Sequence, residues 1–166
     1  MCYDGWREAI VEINILIDGE FKGCPGVNWL QGVAEQVLVA ERAGANVELG
    51  LVIATQERVR ELNKSYLSRD EPTDVLAFSM LPAGGAPAFV PPPDGVLHLG
   101  EVVISFPQAV IQAEERGHSV KREVAILIIH GVLHLLGYED EKPELKRLMS
   151  AREREILSHT ERTAEE

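Results

Sequence analysis

The stretch 128-IIHGVLHLLGYEDE-141 decides how the rest of the chain is read. His130 and His134 stand four apart, so on a helix both side chains leave one face. Two imidazoles placed this way can bind a single divalent ion with no adjustment of the backbone, which is why His-x-x-x-His recurs in zinc sites. The apolar run VAILII (Val124–Ile129) precedes the pair and Gly137 follows it. The pattern predicts a helix over Val120–Leu136 that stops on Gly137 in a left-handed conformation. The chain then reverses and can carry Asp140 back towards the histidines. Two imidazoles and a carboxylate with an open fourth position form a catalytic metal geometry, whereas a structural site is closed by four protein ligands. The position after His130, where a zinc protease carries its glutamate base, is Gly131. That tells against peptide hydrolysis of the usual form. A glycine inside a helix costs about 1 kcal/mol against alanine, so Gly131 implies a close approach, of either packing or substrate. The competing reading is an amphipathic helix with two polar residues at its edge.

Upstream of this helix the pattern changes period. IVEINILID (Ile10–Asp18) alternates and is rich in isoleucine, so it reads as a strand. Val27–Gly44 places Trp29, Leu30, Val33, Val37 and Leu38 at helical spacing, with Gly44 as the stop. Asn46–Thr55 is a second alternating strand, and Thr55 caps a helix running to about Tyr66. VLAFSM (Val75–Met80) and Val96–Ser105 read as two more strands, the second with Gly100 at a bulge or a close approach. Between them lies the Pro/Gly-rich loop LPAGGAPAFVPPPDG. Helices follow at Pro107–Arg116, Val120–Leu136 and Glu144–Ser158. The order β α β α β β α α α predicts an α+β fold, one mixed four-stranded sheet packed by about five helices. Residues 1–158 are expected to form one domain and 159–166 a fraying tail.

Composition narrows the function classes. The 166 residues carry a formal net charge of −11, from 27 acids and 16 bases. That argues weakly against a polyanionic partner. The excess is uneven: Glu57–Met80 has four bases against five acids, while Glu139–Glu166 has nine acids against six bases. RNA is therefore not excluded. Cys2 and Cys24 form no CxxC pair, which fits reduced thiols in a cytoplasmic protein. The N-terminus is no signal peptide, and the longest apolar run is far too short to span a bilayer.

Three blocks of the chain together resemble a known family. HGVLHLLGYED (His130–Asp140) resembles the H-G-x-L-H-L-x-G-Y-D-H signature of the YbeY family, single-strand-specific metallo-endoribonucleases linked to ribosomal RNA maturation. LNKSYLSRDEPTDVLAFSM (Leu62–Met80) resembles the family's N-x-x-Y-R-x-K-D-x-P-T-D-V-L-S-F-P block, and LGEVVIS (Leu99–Ser105) its L-G-D-I-x-I segment. The blocks stand in the family's order, and the resemblance covers about residues 47 to 157. It implies an α+β fold with one Zn2+ per chain, held by His130, His134 and Asp140. It also implies single-stranded RNA as substrate and action at the 3′ end of the small-subunit (16S) ribosomal RNA. By the same match Glu101 stands where the family has an aspartate and is a candidate to orient water or take its proton. Arg69 is a candidate for stabilising charge on the phosphate, and Lys64 and Arg69 for holding RNA.

Three departures qualify the match. Asp140 replaces a histidine, which adds negative charge and makes a bound zinc a weaker Lewis acid. Glu139 replaces an aspartate. Leu67 replaces an arginine next to Tyr66, leaving Arg69 as the nearby cation. The alternative reading is a non-catalytic or weakly active ribosome-assembly factor that binds RNA and retains the fold.

Overall fold

The computed structural model describes residues 11–44, 46–68, 73–81 and 95–164. The order is β1 (Val11–Ile17), α1 (Val27–Ala40), β2 (Val47–Ala54), α2 (Gln56–Leu67), β3 (Val75–Ser79), β4 (Leu97–Ser105), α3 (Phe106–Arg116), α4 (Val120–Leu135) and α5 (Pro143–Ala164). The strands form one sheet in the order β1-β2-β4-β3. β1, β2 and β4 run parallel, and β3 is antiparallel on the edge beside β4. This is the mixed four-stranded α+β sheet expected from the element order. Ile10, Arg69 and most of the Pro/Gly-rich loop lie outside the described residues.

The sheet separates two helical layers of unequal size. Leu49, Leu51, Ile53, Val102 and Ile104 share the large core with buried residues of α1, α3, α4 and α5. Their neighbours along the strands face the other way, since side chains of a strand alternate. Ala54, Leu76 and Val103 meet Val59 of α2 in a small second core. α4 is the central helix, with ten of its sixteen residues buried. A helix so apolar on most sides belongs in the interior.

Local chemistry explains most of the boundaries. Thr55, Ser105 and Ser119 each accept a hydrogen bond from the backbone N–H three residues on, capping α2, α3 and α4. Two ends differ from the sequence expectation. α1 stops at Ala40 rather than running to Gly44, because Arg42 takes the left-handed conformation (φ 50°). Ala43 N–H then bonds Leu38 O at 3.0 Å and Arg42 N–H bonds Val39 O at 3.1 Å, which closes a Schellman turn without glycine. α5 extends six residues past Ser158, into the expected tail. Thr160 is buried there with its hydroxyl on Ile156 O, and Glu161 pairs with Arg122 of α4. These tertiary contacts hold a segment whose polar sequence suggested fraying.

Two glycines allow close approaches, one of α4 to the sheet and one between β4 and β3. A Cβ on Gly131 would lie 2.5 Å from Cγ1 of Val102. The close approach implied by a mid-helix glycine is therefore one of packing. Gly100 (φ +131°) would place a Cβ 2.0 Å from the Phe78 carbonyl oxygen and 3.1 Å from Leu135 Cδ2. It sits at a β-bulge: Glu48 is opposite His98 but Leu49 is opposite Gly100, so Leu99 is the extra residue.

Gly131→Ala is expected to lower stability by about 1–3 kcal/mol through overpacking, despite a helix-propensity gain of roughly 1 kcal/mol. Val102→Ala in the same chain should recover part of the loss. Chemical denaturation of the four proteins of this cycle measures the coupling. Additive effects would show that the two residues do not meet.

Candidate metal centre

α4 ends as the sequence predicts, and its end builds the site. Leu136 closes the helix and Gly137 follows at φ 105°. Tyr138 N–H bonds Leu133 O, and Gly137 N–H bonds His134 O, each at 3.0 Å. This is the Schellman pair of hydrogen bonds. The reversal returns Asp140 to the histidines. Its Oδ2 lies 3.6 Å from His134 Nε2 and 3.9 Å from His130 Nε2, and the two Nε2 atoms are 3.1 Å apart. Three ligand atoms of these residues fall within 4.8 Å of one another, the one such group among the described residues.

The distances suit one metal ion. Ligand atoms about 2.0–2.1 Å from a tetrahedral metal are separated by roughly 3.3 Å. The imidazoles are also oriented for it. His134 Nδ1 is 2.9 Å from Tyr138 O, a carbonyl of the same turn, so Nδ1–H donates and Nε2 keeps its lone pair. His130 Nδ1 is 2.6 Å from Glu153 Oε1 of α5. A carboxylate or carbonyl behind an imidazole fixes its tautomer and the direction of its ring. Burial disfavours the charged His130 ring. Its hydrogen bond to Glu153, with the charges of Glu153, Asp140 and Asp74, outweighs that and holds its pKa above the ordinary histidine value. The histidines are partly buried and Asp140 is exposed, so one side of the group faces solvent.

The other candidates lie elsewhere. Glu101 projects from β4 to the side opposite Val102, beside Gly50, and shares a cleft with Leu16, Arg58, Tyr66 and Phe78. The bulge sets this direction. Simple alternation would put Glu101 with Leu97 and Leu99, which pack on the large core. The extra residue shifts the phase, so Gly100, Val102 and Ile104 face α4 instead, and Glu101 does not. Lys64 is on the exposed side of α2, among Glu57, Arg60 and Glu61. Arg69 lies outside the described residues. Leu67, at the end of α2, is half exposed.

Glu153 is the site residue that sequence reasoning missed. A usable signal existed. Met149, Glu153, Ile156 and Thr160 fall at helical spacing, and the other three are buried. An acid inside a buried stripe calls for a partner. Glu153→Ala is expected to weaken binding of a divalent metal about 10–100-fold, in line with other outer-shell partners of metal-bound histidines. Competition with a chelator measures this, and an unchanged affinity would mean that the His130 ring needs no anchor.

Comparison with known proteins gives a consistent result. The sequence profile of the family described as Endoribonuclease YbeY matches residues 25–161. A protein named Endoribonuclease YbeY from Dehalococcoides mccartyi (strain CBDB1) is 45% identical over 154 residues, covering 90% of this chain and 93% of its own. A relative of the same name from Roseiflexus sp. (strain RS-1) is 43% identical, over 77% of this chain and 79% of its own. The solution structure of a Thermotoga maritima protein superimposes with a TM-score of 0.58 over 88% of each chain at 24% identity, which speaks for the fold alone.

Proposed function

Because the chain belongs to the Endoribonuclease YbeY family, we propose that it hydrolyses phosphodiester bonds of single-stranded RNA at a zinc site formed by His130, His134 and Asp140. On this reading it acts in the cytoplasm on the 3′ end of the 16S ribosomal RNA, at the small ribosomal subunit. The observation that carries it is the convergence of three donor atoms with both Nδ1 atoms already engaged. Among the described residues no helix is long and apolar enough to cross a membrane.

His130 and His134 would hold the ion through Nε2, with Asp140 as third ligand. When bound, the ion supplies Lewis acidity towards a phosphoryl oxygen and a nucleophile at neutral pH. Zinc suits this donor set, since imidazole and carboxylate are both ordinary zinc ligands. Glu153 and the Tyr138 carbonyl keep the rings aimed at one point. Gly131 supplies no base next to His130, and the place of its missing side chain is filled by Val102. Arg69 is assigned to the phosphate, which a planar guanidinium grips with two parallel hydrogen bonds. Lys64, on the other side of the sheet, would at most contact RNA away from the reacting phosphate. Glu101 is given no part in the reaction, because it faces away from α4.

Purified protein is expected to carry about one zinc per chain. His130→Ala should lose the metal and reduce cleavage of a single-stranded RNA at least 100-fold. Metal analysis together with a gel assay on single-stranded and duplex RNA checks both. Undiminished cleavage by the variant would place the activity elsewhere, and a metal-free parent that takes up no added zinc would remove Asp140 as a ligand.

A further inference from the structure

A nucleotide strand brings a negative charge with every phosphate, and cations have to meet it. Most described bases on or against α4 already have a partner. Arg116 pairs with Glu123, Arg122 with Glu161 and Arg152 with Glu41, and Lys121 lies 5.1 Å over the Trp29 ring. Lys142 and Lys146 differ. Both are exposed, and neither makes an ion pair with another described residue. The exposed acids around them, Glu139, Glu141 and Glu144, do not engage them. Arg147 is also exposed, but it stands on the Glu144 side of α5, at i, i+3.

The pairing of α4 with α5 places the two lysines. His130 meets Glu153 and Arg122 meets Glu161, so the helices run antiparallel, residue against residue. Lys146 therefore stands level with Gly137, in the turn that returns Asp140. It also falls seven residues before Glu153 on the same face of α5, about 10 Å along the axis. Lys142 is nearer still. It follows Asp140 by two residues, so their Cα atoms are at most about 7 Å apart. Lys146 N–H bonds Lys142 O at 2.8 Å, which joins the two lysines in one turn.

Helix formation does not explain these residues. The same hydrogen bond puts Lys142 in the N-cap place of α5. Thr55, Ser105 and Ser119 fill that place in α2, α3 and α4, each with an accepting hydroxyl. Lysine has no acceptor to offer there. A positive charge in the first turn also opposes the helix dipole. α5 thus begins with two bases that its own stability disfavours, beside a cluster whose open side faces solvent.

We propose that Lys142 and Lys146 form a phosphate-holding edge of the site: they bind phosphates of a single-stranded RNA that flank the one at the metal cluster, and so position the strand without touching the reacting atoms. The proposal rests on the nuclease reading above. An ammonium on a four-carbon stem is a mobile point charge, suited to a backbone of variable shape. Contacts to phosphate fix register and carry no base preference.

The test is binding of a fluorescently labelled single-stranded oligouridylate to the zinc-loaded protein, read by anisotropy over a series of salt concentrations. A lysine that neutralises one phosphate contributes about 0.7 to the slope of log affinity against log salt. Lys142→Ser and Lys146→Gln should each flatten the slope by about that much, and the double variant by about 1.4, with several-fold weaker binding at low salt. Lys146→Arg should keep the parental slope. Arg58→Gln removes the same charge from α2, on the other side of the sheet, and should leave slope and affinity unchanged. Cleavage of single-stranded RNA by the lysine variants should show a raised KM and a parental kcat. Lys142→Ser supplies a capping hydroxyl, so its melting temperature should be no lower than the parent's. Zinc content should match the parent in every variant. A folded, zinc-loaded double variant with the parental slope, or an equal loss in Arg58→Gln, would overturn the proposal. The nuclease reading fails separately: a zinc-loaded parent that binds the oligouridylate through these lysines but cuts no single-stranded RNA would overturn that reading and leave the phosphate-holding edge in place.

Discussion

The close approach of α4 to β4 is the constraint on which the rest depends. Gly131 lets the helix backbone come nearer to the sheet than any side chain would permit, because a Cβ there would overlap Val102, while Gly100 makes room for the Phe78 carbonyl of β3 and for the tip of Leu135. Seated at that depth, α4 packs Val124, Ile128, Val132 and Leu135 into the large core. It also presents His130 and His134 at one margin of that packed layer, partly exposed. The helix cannot rotate to bury the histidines or to expose the apolar residues, because Gly131 has to remain over Val102. The direction of the imidazoles is therefore set by core packing, before any ligand is considered.

Orientation of the rings is then completed from two different elements. The Schellman turn after Leu136 supplies the Tyr138 carbonyl to His134 and delivers Asp140, so a single left-handed glycine does two tasks. Glu153 reaches His130 from α5, a helix that is fastened elsewhere by Arg152 on Glu41 and on the Ala40 carbonyl. The C-terminal helix is thus part of the site. A polar network from Gln56 to Glu123 also links the start of the edge strand to the face of α4 that carries His130 and His134.

Much of this was legible in the sequence, for identifiable reasons. Apolar periodicity gave the strands and helices, and His-x-x-x-His with Gly137 and Asp140 pointed to the cluster of His130, His134 and Asp140, because all of these are local signals. The misreadings share a different cause. Arg42 adopts a left-handed turn for which no glycine is present, so α1 ends before Gly44. The candidate role of Glu101 came from the family resemblance alone, and with the bulge at Leu99 its side chain lies on the face of the sheet away from α4. Tertiary contacts of Thr160 and Glu161 order a polar segment that looked free. Glu153 reaches the site across a long sequence separation, which spacing along one element does not register.

Anomalous diffraction at the zinc edge from crystals of the zinc-loaded protein tests the central claim most directly. The account predicts one peak per chain, about 2.0–2.2 Å from His130 Nε2, His134 Nε2 and an Asp140 carboxylate oxygen, with a fourth position open to solvent. A peak bound through Nδ1, one that leaves out Asp140, or none at these residues would contradict it.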